Sequence, residues 1–382
     1  QVAWWRHYGK MADRQLHVLA CFEGEELIGL LPCYRRLSAL GRVLRPLASG
    51  EVCSEYLGLL VEPGRDLQVA AALARALSGT DAQPGEGAQS WDLMLLNAQD
   101  PSDRTLQALL QELTRRCHPI ETHGGTACWR NTIDDPSQQP RGSLAYEQER
   151  FDGYLKQVAR SHRHRLRKAE RHGQSQGFSL HFAVDQDSLQ RGFAILTELH
   201  QRRRALIGQV GMFARPRFLA FHRDATRALL DSGTLWLAWL QHRETPIAAY
   251  YCLADQGILH AYQSGLNPDF LDDEPGRVLL LRLIRRALRE GFTAIDLLRG
   301  NEPYKSHLAA EPRSSLNVLI GNRTLLGRTA FPPITEALYR LTLPGYGFYW
   351  LALAGSAELE GWHVPTPEPL PELITIVLDG SW

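Results

Sequence analysis

The sequence predicts a mixed α/β fold in two tandem domains with a C-terminal extension. Three observations carry this. The order hairpin, strand, helix, strand can be read in both halves of the chain. A polar, proline-containing stretch at 134–142, with Pro136 and Pro140 flanking Ser-Gln-Gln, separates the two occurrences. A chain of 382 residues also exceeds what one hydrophobic core usually supports. The expected domains are 1–135 and 142–320, with 321–382 packed on the body as an extension.

In the first half, residues 16–22 and 27–34 alternate around Glu23-Gly24-Glu25-Glu26 as a hairpin. Residues 56–61 read as a strand, 67–77 as a helix, 91–97 as a strand and 106–116 as a helix. The second half begins with a long helix over 151–172, then a strand at 178–184 and helices at 189–207 and 217–230. A second hairpin follows, 235–241 with 246–254, turning at His242-Arg243-Glu244-Thr245. The strand 258–264, the helix 276–289 and the strands 294–298 and 316–320 complete it. Beyond these, 334–343 reads as a helix before a proline-rich end at 365–371.

Composition narrows the function classes. Hydrophobic content of 44% and charged content of 22% are those of an ordinary globular protein, and Lys+Arg equals Asp+Glu at 42 each. With no net charge there is no global field toward DNA or a membrane, so any anion site is local. The six cysteines lack zinc-type spacing and are too sparse for a disulfide scaffold; no metal is expected, and a reducing cytoplasm fits. No signal region follows Gln1, so the chain reads as processed or truncated there. The apolar segment 341–354 is broken by Pro344, Gly345 and Gly347 and is too short to span a bilayer.

Three stretches hold residues able to do chemistry. Lys156, Arg160, Arg163, Arg167 and Arg171 recur at spacings of three and four and line one helix face, either as a clamp for a polyanionic substrate through Arg163 and Arg167 or as a solvated surface. Alternation places His260, Tyr262 and Ser264 on one face of a strand, where they either pair as structural groups or line a site. The apolar run 294–298 ends at Arg299-Gly300 and spills into Asn301, Glu302, Tyr304, Lys305 and His307, the profile of a buried strand delivering polar groups to a site. No phosphate-cradling glycine loop, Ser-His-Asp order or metal triad stands out.

The helix ending near Gly291, the strand Ile-Asp-Leu-Leu and the block RGNEPYKSHL resemble the C-terminal part of the CelD/BcsL-type acetyltransferase family, related to the FemABX aminoacyl transferases. RHRLRKAERHG, with Ala169 and Gly173, is similar to the basic FemABX helix that ends in Ala-x-x-x-Gly. The resemblance implies tandem GNAT-like domains. It implies an acetyl-CoA or other acyl-CoA donor, and an acceptor amine or hydroxyl on a small molecule, a sugar or a glycan or cell-envelope precursor. The donor's pyrophosphate would sit at the N-terminus of the 276 helix near Gly276 and Arg277, with Tyr262 and Ser264 nearby.

The acidic lead-in, Asp272-Asp273-Glu274, departs from the family's glycine-spaced pattern. Acyl transfer needs a base, an acid and oxyanion donors. Glu302 is the candidate base, His307 a second base, Tyr304 the candidate acid and Lys305 a charge on a phosphate or the acyl oxygen. Taken singly, Tyr304 also reads as a core aromatic and Glu302 and Lys305 as surface groups; it is as a block resembling the family's Arg-Gly-x-Glu-x-Tyr-Lys run that they point to a site. Asp296, alternating with Leu297 on the strand, is expected to orient Arg299 or a substrate amine, and Arg299 and His260 are expected to bind the acceptor. Two other readings are aminoacyl transfer from tRNA to a peptidoglycan precursor, in which alone RNA is a partner, and a degenerate GNAT binding module.

Overall fold

The structure, a computed structural model, describes residues 1–79, 91–322 and the backbone of 373–378. The expected helix at 334–343, the apolar segment 341–354 and the proline-rich end lie outside the described residues. The chain divides into two compact units. Unit 1 takes Gly9–Gly125 and the described residues from Ser315 onward, and unit 2 takes Val2–Tyr8 and Thr126–Ser314.

The elements run as follows. After α1 (Val2–Trp4) come β1 (Arg14–Glu23), β2 (Glu26–Ser38), β3 (Gly41–Pro46), the short β4 (Leu60–Val61), α2 (Asp66–Ser78), β5 (Leu93–Gln99), α3 (Arg104–Arg115) and β6 (Ile120–Thr132). Then come α4 (Leu144–Gln157), α5 (Arg160–Ser175), β7 (Ser179–Phe182), α6 (Gln186–Leu206), α7 (Pro216–Asp231), β8 (Leu235–His242), β9 (Thr245–Asp255) and β10 (Ile258–Leu266). Last come α8 (Pro275–Arg289), β11 (Ala294–Arg299), β12 (Glu311–Gly321) and β13 (Leu373–Leu378).

The unit 1 strands are ordered β13-β1-β2-β3-β5-β12, and those of unit 2 β6-β11-β10-β9-β8-β7. Each unit contains the same run: three antiparallel strands, a helix, and a strand parallel to the third. In unit 1 this is β1, β2, β3, α2 and β5; in unit 2 it is β8, β9, β10, α8 and β11. The third strand of unit 1 is β3 and not residues 56–61, of which only Leu60 and Val61 pair. Positive φ at Cys53 and Tyr56 interrupts the extended run there. The Arg42 guanidinium meanwhile fastens β3 by donating to both oxygens of Asp92 at 3.0 and 2.9 Å.

The helix expected over 151–172 is two helices. Val158 and Ala159 are extended, at ψ 134 and 144. Val158 is only 1% exposed, so the break turns it into the core. The Arg163 guanidinium holds the break from the far side, donating to the carbonyls of Lys156 and Val158 at 3.2 and 3.1 Å. Lys156 therefore does not share a helix with the arginines.

The stretch 134–142, expected as a boundary, lies inside unit 2, where Asp135 accepts from Tyr146 Oη at 2.6 Å and the Gly142 carbonyl accepts from Arg289 at 2.8 Å. The core of unit 2 joins α4, α5 and α8 to one face of the sheet through Tyr154, Leu166, Leu280, Ile284, Cys252 and Leu297. The core of unit 1 is built from β1, β2, α2, α3 and β5.

Candidate active site

β10 and β11 are the only parallel neighbours in unit 2 among the described residues, and they pair over three positions: Ile258 with Ala294, Leu259 with Ile295, and His260 with Asp296. β10 runs on to Leu266 and β11 to Arg299, but their ladder ends at His260 and Asp296, so the strands part beyond that rung. The end of β11 finds partners outside the ladder, in the Asp296 carboxylate for the Leu298 amide and the Lys305 ammonium for the Leu298 and Arg299 carbonyls. On its other side β10 stays paired with β9, but one residue is extra: Ala261 faces Cys252 and Gln263 faces Tyr251, leaving Tyr262 as a bulge.

The bulge corrects the expected shared face of His260, Tyr262 and Ser264. Tyr262 lies with the Tyr251 face, its ring 5.2 Å from Tyr251 and its hydroxyl sharing a 3.1 Å hydrogen bond with His222 Nε2. Ser264 faces Tyr250, and the two side chains are hydrogen-bonded. Tyr250 in turn hydrogen-bonds Tyr304. Three hydroxyls from β9, β10 and the loop after β11 thus meet on the face that carries α8.

Tyr304 is 36% exposed as a residue, while its hydroxyl end is drawn into this network. Burial, and then the Glu302 carboxylate, push its phenol up to about 12. Tyr250 is raised as well, by burial first.

His260 and Asp296 mark the last rung before the strands part. Asp296 is fully buried; it accepts from Arg130 Nε at 2.8 Å and from the Leu298 amide at 2.8 Å. It therefore holds the end of β11 and Arg130, while the exposed Arg299 side chain sits at the strand's tip. Burial lowers the His260 imidazole, Asp296 opposes that, and Arg130 adds to it, so His260 is neutral at pH 7.

Lys305 departs most from its expected role. It is 2% exposed, and its ammonium donates to the carbonyls of Leu298, Arg299 and Gly300 at 3.2, 2.6 and 3.2 Å, with Glu302 Oε2 at 3.0 Å. It staples the chain back onto the end of β11, so that Glu302, Pro303 and Tyr304 form a tight loop. Glu302 is ion-paired to that staple and its side chain is 56% exposed, which suits a base poorly.

The N-terminus of α8 lies beside the parted strands. A Cβ on Gly276 would meet Leu266 Cδ2 at 2.7 Å, so glycine lets the first turn close on the end of β10. The acidic lead-in is matched by basic partners: Glu274 pairs with Arg277 and with Arg165 at 3.2 Å, and Asp273 with His172 at 2.8 Å. His162 from α5 stacks on His307 at 3.9 Å, and the buried His307 Nδ1 has no hydrogen-bond partner. Burial, His162, Arg277 and Arg165 lower the His307 imidazole, in that order. His307 therefore belongs with this basic cluster and not with Tyr304. Side chains of this kind around a helix N-terminus suit an anion.

Of the two clamp arginines, Arg163 is committed to the α4 carbonyls. Arg167 is exposed, and it lines an open cleft of about 650 Å³ together with Arg160, Arg163, His164, Glu170 and Arg171. Sequence reasoning missed Tyr250, which sits in a run of apolar strand residues, and Arg130, on a strand whose composition does not announce it.

Residues 160–306 match the sequence model of the family described as "Acetyltransferase (GNAT) domain". No curated protein sequence matches the chain. Among solved structures, FemX superposes with a TM-score of 0.56 at 11% identity, over 84% of this chain and 92% of that one. The C-terminal domain of a putative lysylphosphatidylglycerol synthetase from Agrobacterium fabrum gives 0.46 at 8%, over 80% and 83%. L-PGS from Bacillus licheniformis gives 0.44 at 11%, over 85% and 87%. The FemX likeness is one of fold.

Proposed function

We propose that the GNAT-type acyltransferase domain at residues 160–306 moves an acyl group, acetyl from acetyl-CoA, to an amine or hydroxyl of a sugar, polysaccharide or cell-envelope precursor, as the resemblance to CelD/BcsL-type enzymes suggests. The parting of β10 and β11 beside the N-terminus of α8, with Tyr304 at its mouth, is the observation that carries this reading. The donor's phosphates suit the first turn of α8, where Gly276 keeps the backbone bare and Arg165, Arg277, His162 and His307 surround it. A thioester donor supplies an activated acyl group and a thiolate leaving group.

His260, neutral and on the last rung, takes the proton from the acceptor. Tyr304, held protonated, gives its proton to the departing sulfur. Asp296 and Arg130 position His260, and Lys305 fixes the loop that presents Tyr304. Six free cysteines suit a cytoplasmic setting.

Titration calorimetry of the full chain with acetyl-CoA tests the donor. Saturable binding that weakens in Arg165→Gln and Arg277→Gln is expected, and no heat with the intact chain removes the assignment. Tyr304→Phe and His260→Gln are expected to cut turnover about 10²-fold or more with the melting temperature unchanged. A second reading, aminoacyl transfer as in FemABX enzymes, draws on the exposed arginine face of α5 and predicts that aminoacyl-tRNA, not acetyl-CoA, supports turnover.

A further inference from the structure

The loop between α6 and α7 has no place in the chemistry above, and it combines two features that rarely meet on a surface without a purpose. First, seven consecutive residues, 204–210, are exposed, and three of them are large and aliphatic: Leu206 at 57%, Ile207 at 47% and Val210 at 84%. Second, the segment from Leu199 to Arg223 contains six arginines (Arg202, Arg203, Arg204, Arg215, Arg217 and Arg223) and no carboxylate. Asp269 and Glu198 approach Arg202, at 2.8 and 3.9 Å, while Arg204 bonds the neutral Gln209 at 2.8 Å and Arg217 lies over the Tyr8 ring at 5.7 Å.

The tip is also built to stay out. Gly208 at φ +68 ends α6, with the Gly208 and Gln209 amides bonded to the carbonyls of Ala205 and Arg204. Phe213, 3% exposed, anchors the far side against His200 and Phe218 at 5.1 and 5.4 Å. The aliphatic side chains are therefore held outward by a structured turn.

We propose that this loop docks unit 2 on an anionic lipid surface, with Leu206, Ile207 and Val210 entering the interface and the flanking arginines meeting phosphate headgroups. A protruding aliphatic tip ringed by arginines matches the two attractions that hold a protein on such a surface, buried apolar area and headgroup charge. A groove for a folded partner would need walls, and a run of seven exposed residues supplies none. No helix among the described residues is long and apolar enough to cross a membrane, so the attachment is peripheral.

The test is co-sedimentation of the full chain with vesicles of phosphatidylcholine alone or with roughly a third phosphatidylglycerol. Binding to the anionic vesicles only, weakened at about 0.5 M salt, is expected. The triple change Leu206→Ser, Ile207→Ser, Val210→Ser should lower partitioning at least about tenfold, and Arg204→Gln with Arg215→Gln about fivefold per arginine. Should the triple change prevent folding, Val210→Ser alone reads the same effect. Absence of vesicle binding by the intact chain overturns the proposal, as does equal binding by these variants. Self-association that the triple change abolishes, without vesicle binding, would assign the tip to a second copy of this chain.

Discussion

Replacing Lys305 with methionine separates a structural staple from a ligand-facing charge. The aliphatic stem keeps its length, and only the ammonium goes. Of the three carbonyls it serves, that of Leu298 is in buried surroundings and loses a charge-assisted bond, at a cost of about 2 kcal/mol. Those of Arg299 and Gly300 are partly accessible, so water replaces the ammonium there and the further loss is about 1 kcal/mol at most. Glu302, with a side chain 56% exposed, adds little.

The expected loss is therefore about 2 to 3 kcal/mol, a fall of roughly 5 to 10 °C in the melting of a unit of this size. Calorimetric melting of Lys305→Met beside Tyr304→Phe reads it directly. Activity lost with melting held within about 1 °C would refute the reasoning and return Lys305 to the ligand.

Two further outcomes follow from the packing. His222 is 2% exposed and burial lowers its imidazole to about 3, below its ordinary value of 6.5, so the folded chain keeps it neutral while the unfolded chain takes up a proton. Its contribution to stability is complete above pH 6.5 and is lost as pH falls toward 3, at about 1.4 kcal/mol per pH unit; urea midpoints between pH 7 and 5 should fall accordingly, and His222→Phe should flatten the slope. An unchanged slope in that variant would place the acid sensitivity elsewhere. Arg163→Ala should cost about 1 kcal/mol by uncapping α4, whereas Arg167→Ala should spare stability; an unchanged urea midpoint in Arg163→Ala would contradict the cap.

What could be read from the sequence followed from side-chain periodicity. The hairpins 14–38 and 235–255, the helices α2, α6, α7 and α8, and the polar block after β11 all announce themselves through alternation, apolar spacing or turn residues. What stayed hidden depends on where backbone groups find partners. Nothing in Leu155 to Arg163 marks the break after Gln157, because the cap arrives from Arg163, six residues past that glutamine. β6, with Gly124 and Gly125 and few apolar residues, is a strand only because neighbouring strands hold it. Lys305 is indistinguishable in sequence from a surface lysine, since the carbonyls that take its charge have no signature.

The bulge at Tyr262 also bears on how β10 can be altered. A strand carrying one surplus residue obeys opposite odd-even rules on its two sides: Leu259 and Ala261 share parity with Gln263, yet Gln263 faces with His260. Libraries that vary every second residue from 258 to 266 would mix two environments. Deleting Tyr262 should restore a single parity and leave Ser264 opposite Tyr250, at the loss of the ring that meets Tyr251 and His222, making chain length at this point as consequential as residue identity.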